Sequence, residues 1–164
     1  MKLVLLGLLV GVIVILIVRR LVRQNGKKET EKLIVASQHL VNTAMQEVLP
    51  KFYARLGVSN ADERLTSTLV ANIWGHNVMA FEFQIPVTTK VEPTQLKIEL
   101  DRAIDHYVAD HHLVSASTDT AIHSTDVWFD QVKPILHIDV AHVVNEQTAA
   151  YIRDLRRLNQ TLQQ

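Results

Sequence analysis

The hydrophobic positions along the chain change their spacing several times, and each spacing predicts a different element. Residues 3–18 carry no polar side chain on any face, which is typical of a transmembrane helix. A helix of that length is about 24 Å long, and the hydrocarbon core of a membrane is about 30 Å thick. Lys2, Arg19 and Arg20 can lengthen the span by extending their charged ends toward the headgroups. We therefore expect residues 1–23 to be a transmembrane anchor with a basic flank.

A helical spacing follows the anchor. From Glu29 to Leu56 the apolar residues recur every three or four positions, which indicates an amphipathic helix. Pro50 is expected to end or kink this helix, and Gly57 is expected to stop it. We assign residues 24–57 to a linker and an amphipathic stalk helix. The apolar stripe either packs against the protein's own domain, which we favour, or forms a coiled coil.

The remaining chain, residues 58–164, mixes helical and alternating patterns and predicts a small acidic α+β domain. The expected elements are a helix from Ser59 to Gly75, a strand over 81–88, a helix from Pro93 to about Asp110, a loop over 111–125, strands over 127–129 and 135–140, and a helix from Asn145. The complete fold class is α+β. It combines a single N-terminal transmembrane helix, a helical stalk, and a small, mostly antiparallel sheet of about three strands packed with helices.

The net charge of zero conceals a strong asymmetry. Residues 1–28 hold six of the 17 Lys and Arg and none of the 17 Asp and Glu, so the rest of the chain carries a charge of −6. An acidic body without a basic stripe argues against nucleic-acid binding. Basic flanks stay on the cytoplasmic side of a membrane. We therefore expect the N-terminus outside, the domain at the cytoplasmic face, and lipid headgroups bound by Arg19, Arg20, Arg23, Lys27 and Lys28.

Two glycines lie one helical turn apart in the apolar run. Gly7 and Gly11 form a GxxxG pattern, which allows a second helix to approach closely. The pattern is common in membrane helices and is not specific. It nevertheless makes a homo-oligomer or another protein partner the expected association, in addition to membrane lipid.

Histidine is the unusual residue type, with eight copies. His106 and Asp110 are four residues apart and share a helix face, which His111 could complete. His137 and Asp139 point the same way from one strand. If these groups met, they could hold a divalent metal ion. The favoured interpretations are a capped helix end and a solvated sheet face, so we expect no cofactor, with a divalent metal as the alternative.

Motifs for other chemistry are missing from the sequence. Zero cysteines exclude a disulfide framework and a cysteine nucleophile, and no Gly-x-Ser-x-Gly elbow or glycine-rich phosphate loop occurs. The sequence therefore favours a bacterial-type, single-pass membrane protein that presents an interaction or scaffold domain and is not an enzyme. The alternatives are a His/Asp metal-binding module or hydrolase, and an extracytoplasmic assembly factor.

Overall fold

The computed structural model describes residues 19–20, 28–58, 65–70, 78–115 and 120–161, with side chains given as far as Leu158. The chain divides into two compact units, Met1–Val35 and Ala36–Gln164. The three-part division expected from the sequence stays a prediction. All of the packing described below lies within the second unit.

Four helices and four strands make up the described chain. In order they are α1 over residues 28–48, α2 Pro50–Leu56, β1 Thr68–Leu69, β2 Ala80–Pro86, α3 Pro93–Asp110, β3 Ile122–Phe129, β4 Ile135–His142 and α4 Glu146–Thr161. The molecule is therefore α+β, and its sheet has one more strand than the sequence indicated.

Local sequence signals place the break between α1 and α2. Pro50 is the first residue of α2, where its missing N–H is not needed, and Leu49 forms the turn between the helices. Gly57 ends α2 with a left-handed φ of 64° and donates its N–H to the Tyr53 carbonyl. A side chain at position 57 would also overlap the Thr88 hydroxyl. Glycine is thus required here by both backbone conformation and space.

Helix α3 begins and ends where the sequence predicted. The carboxylate of Glu92 caps it by accepting the Gln95 N–H at 2.6 Å, and Pro93 is its first residue. At the other end the N–H of His111 donates to the Tyr107 carbonyl at 3.0 Å. The predicted span of Pro93 to Asp110 is confirmed.

The strands form one antiparallel sheet in the order β1-β2-β4-β3. Glu82 lies opposite Thr68 on one side and opposite Asp139 on the other. Asp139 in turn lies opposite Asp126, and a β-bulge interrupts β3 between Ser124 and Asp126. Because side chains alternate along a strand, this register assigns every residue to one of two faces.

One face of the sheet, which we call the core face, is sealed by helices. His142 projects from this face, and its Nδ1 lies 3.0 Å from the Ser37 hydroxyl of α1. The buried apolar side chains of the core face include Phe81, Phe83, Ile85, Leu136, Ile138 and Val140, and those of the helices include Val41, Met45, Val48, Phe52, Leu96, Leu100 and Ile104. Their burial supplies the main stabilisation of the domain.

The opposite face, which we call the polar face, is covered at one end by α4. The helix packs Ala149 and Ile152 onto a small apolar cluster that contains Ala80 and Ala141 of the sheet. Asn145 caps α4 by accepting the Thr148 N–H at 2.8 Å, and the Thr148 hydroxyl accepts the Met79 N–H at 3.1 Å. Beyond this cluster, Gln84, Pro86 and Asp126 of the polar face are exposed to solvent.

Among the described residues, no helix is both long and apolar enough to cross a membrane. On this finding the prediction of a single-pass membrane protein is wrong. This overturns the predicted transmembrane helix and the predicted location in the cell membrane, with the N-terminus outside and the domain at the cytoplasmic face. The described helices do not meet this requirement because they carry charged side chains. Helix α3, for example, has the 18 residues that a span needs but carries Lys97, Glu99, Asp101, Arg102 and Asp105. Residues 3–18 lie outside the described chain.

The predicted helix from Ser59 to Gly75 is also wrong where the structure describes it. Thr68 and Leu69 form β1, and Val70 donates its N–H to the Ala80 carbonyl of the β2 strand. The Ser67 carbonyl accepts a hydrogen bond from the Gln38 side chain of α1 at 2.5 Å. These long-range bonds satisfy the backbone without a helix, so tertiary contacts override the local helical pattern.

We expect Ile138→Ala to lower the free energy of unfolding by about 2–5 kcal/mol, because it opens a cavity in a fully packed core. Ile138 is 1% exposed in the central strand β4. Urea unfolding measures the loss. Val132→Ala is the matched control, since Val132 is 92% exposed and its loss should stay within about 0.5 kcal/mol. Equal effects of the two changes would contradict the assignment of the core face.

Candidate functional site

Three carboxylates cross the polar face in a single row, which we call the acidic row. Glu82 of β2, Asp139 of β4 and Asp126 of β3 are successive cross-strand partners. Directly opposite residues of an antiparallel pair have Cβ atoms about 4.5–5.5 Å apart, and like charges in such positions repel. The row therefore concentrates negative charge on rigid strands.

A second row lies beside the first and holds His137 between Gln84 and Trp128. The Nδ1 of His137 is 2.6 Å from Glu82 Oε1, and the Trp128 ring stacks on the imidazole with centroids 4.7 Å apart and planes 12° apart. These two contacts hold the ring in one orientation. An N–H at Nδ1 donates to the Glu82 carboxylate.

The Nε2 atom of His137 has no hydrogen-bond partner although it is buried. Its nearest acidic neighbour is Asp130 Oδ2, at 3.9 Å, and the side chain as a whole is only 13% exposed. A buried ring nitrogen without a partner costs free energy unless a ligand supplies the missing hydrogen bond. His137 is thus oriented for recognition on its Nε2 side.

Asp139 is the acid of the described chain whose pKa is shifted furthest from its usual value. Burial, reinforced by the carboxylates of Glu82 and Asp126, raises its pKa to about 7, and His137 opposes the rise. One carboxyl oxygen, Oδ1, is buried without a hydrogen-bond partner. Asp139 therefore holds a proton up to nearly neutral pH and changes charge close to pH 7.

Helix α4 contributes Tyr151 to the edge of this cluster. Burial raises the pKa of the phenol, and the negative charges of Asp139 and Asp126 raise it further. Tyr151 packs against the apolar cluster that contains Ala80 and Ala141, which lie two positions from Glu82 and Asp139 on the same face of the sheet. The site is thus assembled from three strands and one helix.

The residues proposed from the sequence as metal ligands fall into two separate groups. His137 and Asp139 share the polar face, where their acidic neighbours are Glu82, Asp126 and Asp130. His106 Nε2 lies 3.7 Å from Asp110 Oδ2, and both side chains are largely exposed. The part of the chain that the structure describes contains no group of three or more His, Cys, Asp or Glu arranged to hold a metal ion.

The remaining residue of the predicted metal set, His111, lies at the C-terminal end of α3. Its ring stacks on Tyr107 with centroids 4.0 Å apart, and its Nδ1 lies 3.0 Å from the Tyr107 carbonyl. Nε2 is 3.9 Å from a carboxylate oxygen of Glu47 on α1. His111 therefore links two helices, as a histidine at a helix C-terminus commonly does.

Most of the residues predicted to pair helices or bind headgroups lie outside the described chain, namely Gly7, Gly11, Arg23 and Lys27. Arg19, Arg20 and Lys28 are helical and exposed. Their predicted contacts with lipid stay predictions.

A second polar network, away from the polar face, ties α3 to the edge strand β3. Lys97 Nζ lies 2.8 Å from both Asp101 Oδ2 and the Ser124 carbonyl, and the Ser124 hydroxyl donates to Asp101 Oδ1 at 2.5 Å. Ser124 is completely buried. Its hydroxyl cannot reach a substrate, so the network stabilises the α3–β3 contact and is not a nucleophilic site.

Comparison with known protein families, with curated proteins and with solved structures finds no match for this chain. The geometry of the polar face is therefore the basis for assigning a function.

The raised pKa of Asp139 predicts a stability cost that depends on pH. An unfolded aspartate titrates near pH 3.9, whereas Asp139 in the folded state titrates at about 7. The folded form keeps its proton between these values and the unfolded form does not, so stability falls as pH rises from about 4 to about 7 and the cost is complete above pH 7.

We expect Asp139→Asn to raise the free energy of unfolding at pH 8 by about 1–2 kcal/mol, a figure reduced for the partial exposure of the group. Most of the gain should be lost by pH 4, where the folded state is protonated and the unfolded state is about half protonated. Urea unfolding from pH 4 to pH 8 measures the difference. Asp105→Asn, at an exposed carboxylate of α3, is the matched control. A gain that does not change with pH would contradict the raised pKa.

Proposed function

We propose that the Ala36–Gln164 unit is a protein-interaction domain that binds a lysine- or arginine-containing segment of a partner protein on the polar face of its sheet. The observation that carries the proposal is the acidic row, in which Glu82, Asp139 and Asp126 follow one another across three strands. The proposal keeps the interaction role expected from the sequence and assigns it to a surface.

Charge complementarity favours a cationic partner. The carboxylates of Glu82 and Asp126 both act on Asp139, and the opposing influence on its pKa is that of His137. A lysine or arginine placed over the row would reduce this repulsion. The net charge of −6 outside residues 1–28 adds a longer-range attraction for a positively charged segment.

A buried atom with no hydrogen-bond partner supports the same partner chemistry. The carboxyl oxygen Oδ1 of Asp139 is buried and accepts no hydrogen bond. Ammonium and guanidinium groups carry several N–H donors and no acceptor, so they can satisfy this oxygen. The half-buried indole of Trp128, two residues beyond Asp126 on β3, adds an aromatic surface for a cation.

Binding fits these residues better than hydrolysis. Among the described residues, His137 contacts Glu82, Asp130 and Trp128, and these three carry no hydroxyl or thiol that the histidine could activate as a nucleophile. The groups also lie on strands whose pairing fixes their spacing. A rigid array of this kind suits recognition of a charged segment.

The proposal is tested by fluorescence anisotropy with the full chain and a nine-residue Gly/Ser peptide that contains four arginines. We expect binding that weakens as NaCl increases, because added salt screens the charges. The double variant Glu82→Gln, Asp126→Asn should lose about tenfold in affinity, equivalent to about 1.4 kcal/mol. Asp105→Asn should bind like the natural chain, and a peptide with glutamines in place of arginines should not bind.

Two results would contradict the proposal. In the first, the double variant binds the arginine peptide as tightly as the Asp105→Asn control. In the second, sedimentation shows self-association that the double variant abolishes, which would make a second copy of this chain the occupant of the polar face.

A further inference from the structure

Strand β3 is the outermost strand of the described sheet, since β4 is its one neighbour in the strand order. Along an antiparallel strand, the backbone N–H and C=O groups face the partner strand and the outside at alternate residues. The Asp130 N–H donates to the Ile135 carbonyl of β4 at 2.9 Å, so Asp130 faces inward. The alternation then directs the backbone groups of Val127 and Phe129 away from β4.

Helix α3 covers the first half of this outer edge. The Ser124 N–H donates to Asp101 Oδ1 at 3.2 Å, and Lys97 Nζ donates to the Ser124 carbonyl at 2.8 Å. Both backbone groups that Ser124 turns outward are therefore satisfied by α3. A strand from another molecule cannot pair there without breaking these bonds, so α3 limits where a strand can be added.

The second half of the edge, residues 127–129, is not covered by α3 in this way. The Val127 N–H donates to Asp126 Oδ1 of its own strand at 2.8 Å, a local contact that an incoming carbonyl can replace. Within the described part of the chain, the Val127 carbonyl and both backbone groups of Phe129 form no hydrogen bond. Three main-chain groups are thus available to an added strand.

Two consecutive aromatic side chains of this half of β3 are partly exposed, one on each face of the sheet. Trp128 lies on the polar face opposite His137, and Phe129 lies on the core face opposite Leu136. The helices that seal the core face therefore leave Phe129 incompletely covered. Directly opposite residues of paired strands have Cβ atoms about 4.5–5.5 Å apart, so a strand added beside β3 would cover both rings.

We propose that the basic segment of the partner adds to the sheet as an antiparallel strand along residues 127–129. This inference rests on the proposed function and specifies the conformation in which the partner binds. Partner residues opposite Asp126 and Trp128 project over the polar face, where a lysine or arginine meets the acid and the indole. The residues between them project toward the core face, where apolar side chains cover Phe129. The partner is thus an extended segment in which cationic and apolar residues alternate.

The charge of this edge favours such a partner over a second copy of the chain. Asp126 lies on this half of β3, and Asp139 and Glu82 continue the acidic row across the sheet. A second β3 would bring its own Asp126 beside these acids, and like charges on neighbouring strands repel. A cationic strand places opposite charges there instead.

Fluorescence anisotropy of the full chain with three labelled peptides tests the proposal. The first peptide alternates four arginines with three valines, and the other two carry N-methyl groups on either the three valines or three of the arginines. In antiparallel pairing the residues opposite Val127 and Phe129, here the valines, donate their N–H groups to β3. We expect methylation of the valines to weaken binding by about tenfold and methylation of the arginines to weaken it by less than about twofold.

A pair of variants tests the same contact from the side of the protein. Phe129→Pro deletes an outward-facing N–H, at a position where an edge strand accepts proline without losing a bond to its neighbour. Phe129→Ala removes the same ring and keeps the N–H. We expect Phe129→Pro to bind the unmethylated alternating peptide about threefold to tenfold more weakly than Phe129→Ala. If Phe129→Pro does not fold, the methylated peptides decide, because they leave the protein unchanged.

The proposal is overturned if methylation of the valines costs no more affinity than methylation of the arginines. If the Gly/Ser arginine peptide still binds in that case, strand addition is wrong and the cationic partner of the polar face stands. If neither that peptide nor the alternating peptide binds, the proposed function is wrong and strand addition is wrong with it.

Discussion

The pairing of β2 with β4 governs both the core and the site. Seven successive residues, Ala80 to Pro86, pair with Ala141 to Ile135, and this register sends Phe81, Phe83 and Ile85 to the helices. A slip of one residue would exchange the two faces, placing these apolar side chains in water. The free energy of core burial therefore also fixes which acids stand side by side on the polar face. The charge repulsion of the acidic row is tolerated because the core face outweighs it.

The parts of the fold that the sequence predicted well are those with local causes. Pro50 and Gly57 mark the start and end of α2 because each restricts or extends the backbone at its own position. The bounds of α3 follow from Pro93 and from the spacing of its apolar residues. The strict alternation of apolar and polar residues around Glu82 indicated a strand with Glu82 on its polar side. The register of β2 places Glu82 on that side. Neighbours in sequence decide such features.

The remainder depends on pairs of residues far apart in the chain. Glu82 and His137 are 55 positions apart, and no local pattern indicates that their strands are adjacent. The helical pattern at Leu65 and Leu69 was misleading because β2 and α1 satisfy that backbone instead. The histidines of α3 looked like partners of His137 in the sequence, but the sheet order brings β2 and β3 beside β4. The apolar run near the N-terminus made a membrane span the leading prediction, and the described helices do not supply one.

The bulge in β3 makes this strand tolerant of a change in its length at one position. Ser124 and Asp126 pair with consecutive residues of β4, so Thr125 is an extra residue that has no cross-strand partner in β4. Its removal would leave Ile122 on the core face and His123 on the opposite one, because the alternation on both sides already matches the partner strand. A length change elsewhere in β3 would move every following side chain of the strand to the opposite face of the sheet. Position 125 is thus a place in this strand where a residue could be deleted while the residues on both sides keep their faces.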